Sequence, residues 1–177
     1  VKQIYASGCS GNIVAGKYNN GARENRAVLA GRLHSALEEA WRNTQRHTVE
    51  RVDFRATPLH LEPRTTVGFS EAELNSQLKA ATKPFQQCLA ALGLSWHRRV
   101  AAGRAIQIPA IDFGAAQLLL LPGESYVEFQ LAAQRARPDA FVCVAGYGDG
   151  ATGYIPTDRH FAENDSNLGD WCWVAPG

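Results

Sequence analysis

At 177 residues, 45% hydrophobic and 20% charged, the chain suits one packed domain and is too apolar for disorder. Lys and Arg total 18 against 17 Asp and Glu, a net charge of +1, which gives no support to a nucleic-acid or membrane-surface partner, since those need a basic patch or stripe. The longest apolar run, around Leu118–Leu121, cannot span a bilayer, and no signal-peptide pattern opens the chain.

The chain has no Met and begins within a strand-like run, Val1–Ala6, so it reads as an internal piece of a longer protein. Ser7–Ala22 is a glycine-rich loop. A helix is predicted from about Arg23 to Gln45, with Leu29, Leu33, Leu37, Ala40 and Trp41 on one apolar stripe. Alternation within His47–Glu62 sets Val52, Phe54 and Ala56 on one face of a half-buried strand that ends at Pro63. Ser70 and Glu73 form a capping box that opens a helix. A further helix after Pro84 carries Phe85, Cys88, Leu89, Leu92 and Trp96 on one stripe, and Gly103–Phe113 is strand-like.

Gln117–Leu121 is a continuous apolar run, as in a strand covered on both faces. Ser125 and Glu128 have the spacing of a second capping box, with a helix to about Ala136, and Ala140–Ala145 is a second apolar strand. Strand, helix and strand with short connections make a right-handed βαβ unit. The fold class expected is therefore α/β, with a mixed or parallel sheet and packed helices.

In such sheets ligands bind beyond the carboxyl ends of the strands. Glu124 follows the first apolar strand; Tyr147 and Tyr154 follow the second in the loop Gly146–Tyr154, which has glycines at 146, 148, 150 and 153. A carboxylate and a phenol brought to one edge suit a metal or acid–base chemistry, and each also suits a plain structural role. The segment Gly11–Lys17 nearly fits a phosphate-binding loop, but Tyr18 stands where a Ser or Thr hydroxyl is needed. The five histidines show no metal-ligand spacing, and no two of the four cysteines form a CxxC. Cys88 and Cys143, in apolar surroundings, are expected to be buried free thiols, with Cys9 and Cys172 left open.

Three motifs together resemble the second half of the catalytic domain of neutral/alkaline non-lysosomal ceramidases. They are Leu121-Pro-Gly-Glu124 leading into a helix, Phe141–Tyr147 followed by Gly153-Tyr-Ile-Pro-Thr157, and the variant loop Ser10–Asn19. The resemblance implies a zinc amidase cutting an N-acyl bond by metal-activated water. It implies Glu124 and Tyr154 as metal ligands, with two histidine ligands upstream of this segment. It also implies an N-acyl, lipid-like substrate, a secreted or extracytoplasmic setting, and a substrate or oxyanion loop at Gly11 and Asn12. The family's active-site serine aligns with Val14 and its aspartate with Asn12, so the alternative is a catalytically degenerate homologue that serves as a binding module.

Overall fold

The computed structural model describes residues 4–177. The chain divides into two compact units: the residues up to Ile13 with Arg51–Gly177, and Val14–Glu50. The smaller unit is built on helix α1, Asn25–Arg42. Its predicted apolar stripe is there, but Leu33, Leu37 and Trp41 are all more than half exposed, and α1 buries no residue.

In the larger unit, strand β1 (Asp53–Leu59) precedes helices α2 (Glu71–Ala80) and α3 (Pro84–Ala101). Strands β2 (Ile106–Asp112) and β3 (Ala116–Pro122) follow, then the short strand β4 (Glu124–Ser125). Helix α4 (Val127–Ala136), strand β5 (Phe141–Gly148), the short strand β6 (Tyr154–Ile155) and helix α5 (Asp158–Ala162) complete it. The sheet order is β1-β2-β3-β5, antiparallel except between β3 and β5. The pair β3 and β5 is parallel, with α4 between them in sequence: the strand–helix–strand unit expected from the two apolar runs. This is a mixed α/β fold.

The principal core gathers Trp96, Ile106, Tyr126, Ile155, Cys172, Trp173 and Val174. It joins α3, the start of α4, β6 and the last residues of the chain, and so lies beside the β4–β6 ladder.

Ser70 caps α2 as expected: its Oγ accepts from the Glu73 backbone, and the Glu73 carboxylate accepts from the Ser70 N–H. The second capping box does not form. Ser125 is buried in β4 and its hydroxyl donates to Pro122 O at 2.7 Å. Its place is taken by Asn12, whose Oδ1 accepts the Val127 N–H at 2.9 Å while its Nδ2 donates to Glu128 at 2.9 Å. The cap is the expected chemistry, supplied from across the chain.

Three further expectations are corrected. Val1–Gln3 lie outside the described residues, and Ile4–Ala6 form no strand. The strand in His47–Glu62 is shorter than expected: it begins after Val52, and Phe54 and Ala56 on its supposed inner face are exposed, because no layer among the described residues covers that face; it stops at Leu59, and Pro63 instead bridges to Val174. Cys88 and Cys143 are exposed, while Cys9 and Cys172 are buried. In β5 burial alternates, with Val142 and Val144 inward and Phe141 and Cys143 outward, so the apolar run is covered on one face only. Cys88 lies on the exposed first half of α3, whose buried residues begin at Ala90.

The thiols test this burial. Desolvation raises the pKa of Cys9, and pushes that of Cys172 to about 11, which suppresses thiolate at neutral pH. Labelling with a thiol reagent at pH 8 should modify Cys88 and Cys143 rapidly, and Cys9 and Cys172 only on unfolding. Mass mapping of the labelled peptides gives the order.

Candidate functional site

The two-stranded ladder β4–β6 is parallel, with Glu124 the register partner of Tyr154 and Ser125 that of Ile155. Register partners project from the same face, so Glu124 and Tyr154 share one side and Ser125 and Ile155 the other. The sequence separates the two residues by a helix and a strand; the ladder makes them neighbours.

Glu124 is oriented by Trp171, whose indole N–H donates to its Oε1 at 2.5 Å. Trp171 is itself held, stacked on Phe85 with ring centroids 6.2 Å apart and tilted against Trp173 at 5.4 Å. Trp171 was missed in the sequence because nothing local marks it; only the 47-residue contact with Glu124 gives it a role.

Tyr154 packs edge-on against the buried Tyr126, with ring centroids 6.0 Å apart. Burial raises the pKa of its phenol, and the neighbouring Glu124 carboxylate raises it further. Tyr154 is therefore a neutral phenol at pH 7, facing a negative neighbour.

A cleft of about 210 Å³ opens beside Glu124; Tyr154, packed on Tyr126, is not part of its lining. Leu92, Trp171 and Trp173 form its apolar wall, Glu124 and Tyr147 its polar groups, and Gly123, Gly148, Gly150 and Gly153 bring backbone to its edge. The glycine loop is pinned by Asp149. Arg99 donates to both carboxylate oxygens, at 2.8 and 2.5 Å, and also to the Arg104 and Ala105 carbonyls. The Gln107 N–H also donates to Asp149, at 3.3 Å.

The loop Gly8–Asn12 reaches the same region. The Gly11 N–H donates to Ser125 O at 3.2 Å, and a Cβ at Gly11 would collide with Glu124 O. With the Asn12 side chain committed to α4, both residues assigned to the oxyanion loop serve in this structure to tie that loop down. Ser10 bonds to the Tyr147 hydroxyl at 2.9 Å. Val14, which the resemblance would set at a serine position, belongs to the smaller unit and is exposed.

For a metal, the pair would offer two oxygen donors, the Glu124 oxygen not taken by Trp171 and the Tyr154 phenol, a donor set compatible with zinc but short of the four ligands it needs. Among the described residues no group of three or more His, Cys, Asp and Glu is placed to hold a metal. His97 bonds to Phe69 O, and His160 to Thr157 and, at 3.7 Å, to Glu128. The chain matches no protein-family model, no curated protein and no solved structure.

Arg99 holds the Asp149 pKa below its ordinary 3.8, outweighing the opposing effect of burial. A depressed carboxylate contributes stability that is present above the ordinary value and lost as pH falls through the lowered one. The Asp149 side chain is 40% exposed, so solvent screens the pair, and Asp149→Asn should cost only about 0.5–1 kcal/mol at pH 7. The difference from wild type should shrink as pH drops below 3.8, as read by urea unfolding across pH.

Proposed function

We propose that the chain carries half of the metal site of a ceramidase-like, zinc-dependent hydrolase that cleaves an N-acyl amide bond. The observation that supports this reading most is the in-register pairing of Glu124 with Tyr154, with Glu124 on the wall of a cleft. The remaining ligands, two histidines by resemblance, would come from the polypeptide upstream.

Zinc, when bound, polarises a carbonyl and makes water a nucleophile near neutral pH. The protein's part is to hold and shape. Trp171 fixes Glu124 so that one carboxylate oxygen remains free. Tyr154 stands against Glu124, where a bound cation would oppose the upward push that burial and the carboxylate give the phenol's pKa. Leu92, Trp171 and Trp173 offer an apolar wall to the acyl chain, and the glycines let backbone approach the scissile bond. Valine has no nucleophilic atom, so Val14 argues for direct attack by water without an acyl-enzyme.

The second reading is a degenerate homologue that binds an N-acyl lipid without cleaving it. Val14 favours it, as does the use of Gly11 and Asn12 to tie down their own loop.

The test is made on the full-length protein. It should hold stoichiometric zinc, lose it in Glu124→Gln, and hydrolyse at least one member of a panel of N-acyl amides that includes ceramide. Activity should vanish with a chelator and return with zinc. Zinc retained in full by Glu124→Gln removes Glu124 from the ligand set. Zinc binding and ceramide binding without turnover select the second reading.

A further inference from the structure

Tyr147 has features that the reading above leaves unused. Its backbone lies at φ 60°, in the left-handed region. A bulky aromatic residue there is an outlier that its surroundings must hold in place. Asn164, the other described non-glycine residue with positive φ, belongs to a type that tolerates the region.

The surroundings of Tyr147 do hold it. Its N–H donates to Gly123 O at 3.0 Å, the Gly146 N–H donates to Ser7 O at 2.8 Å, and Asp149 is clamped by Arg99. The result is a ring about half exposed, on the cleft shared with Glu124 and Trp171, with its hydroxyl on Ser10 Oγ. The strand register shifts here, from Leu120 opposite Ala145 to Pro122 opposite Gly148, so Gly146 and Tyr147 both stand opposite Leu121 in a β-bulge; a bulge beside a cleft re-aims a side chain, and this one sets the Tyr147 ring on the cleft. The Gly11 N–H and the Asn12 side chain, the donors expected for an oxyanion, are engaged elsewhere.

Resting on the hydrolase reading, we infer that Tyr147 is a catalytic residue whose phenolic O–H donates to the amide oxygen as charge develops on it, backed by a hydrogen bond from the Ser10 hydroxyl. Water adds to the carbonyl carbon, and the C=O π pair moves onto the oxygen, which Tyr147 meets. When the C=O re-forms, the C–N bond breaks, and the amine leaves with a proton from the attacking water. Tyr147 keeps its proton throughout, so its contribution is electrostatic. The Ser10 hydroxyl polarises the phenol and strengthens its donation.

The experiment uses the full-length, zinc-loaded protein and a fluorogenic medium-chain N-acyl aminocoumarin. Tyr147→Phe should lower kcat about 100-fold with KM nearly unchanged, the signature of a donor that acts in the transition state. Zinc content should be unchanged and the thermal midpoint should stay within about 2 °C. Ser10→Ala should cost about 10-fold, through the polarisation alone. Tyr147→Asn, with a residue that accepts the left-handed backbone, should lose turnover without a lower midpoint.

Active wild type with Tyr147→Phe at wild-type kcat overturns the assignment alone. So does Tyr147→Asn with a midpoint lower by more than about 4 °C, since the conformation would then serve packing. Zinc-loaded wild type that turns over no amide overturns this assignment together with the hydrolase reading.

Discussion

Gly123 and Gly153 meet where β4 and β6 begin, and no side chain fits between them. Both have positive φ, at 46° and 65°. A Cβ on Gly123 would strike the Thr152 hydroxyl and the Gly153 carbonyl; one on Gly153 would strike the Trp171 carbonyl. This close approach lets the Glu124 N–H reach Gly153 O at 2.9 Å, the Tyr126 N–H reach Ile155 O at 3.0 Å, and the Tyr154 N–H reach Trp171 O at 2.8 Å. From those three bonds follow the parallel ladder, the register that pairs Glu124 with Tyr154, and the presence of Trp171 at the carboxylate. The site is a consequence of two missing β-carbons.

That geometry also explains which parts of the protein were legible in the sequence. The βαβ unit was, because two apolar runs flanking a ten-residue helix leave few alternatives for β3, α4 and β5. Ser70 was legible because its capping box closes within four residues. Ser125 carries the same signature and misled, because buried backbone nearby made a stronger claim on its hydroxyl and Asn12 arrived from 115 positions away. Local patterns encode local bonds; they are silent where a partner comes from elsewhere in the chain.

The cysteines make the same point for burial. Hydrophobic neighbours in sequence are not neighbours in space: Cys143 alternates with Val142 and Val144 and so faces away from them. Cys172, between two tryptophans near the end of the sequence, is fully buried because that segment threads the core. At the site, Glu124 and Tyr154 were singled out individually, from strand ends and glycines. Their contact was not readable, because register between two-residue strands is set by backbone approach and not by side-chain pattern.

Burial and charge at Glu124 and Tyr154 act in the same direction. Desolvation alone would raise the phenol's pKa, and the adjacent carboxylate adds to it, so the pair is a neutral donor beside an anion that already holds one indole hydrogen bond. Such an arrangement has capacity left for a cation and little for a second anion. Any anionic oxygen brought beside Glu124 would therefore be repelled unless a positive charge or a directed O–H stood on its other side. Glu124, Trp171 and the ladder fix where the negative charge sits; the glycine loop, clamped through Asp149 and Arg99, fixes what can oppose it. The strained residue on that loop carries a hydroxyl, and the ordinary residues around it are glycine, aspartate and alanine. Tyr147, its hydroxyl on Ser10 Oγ at 2.9 Å, supplies the side-chain O–H on a cleft whose charged group is the Glu124 carboxylate.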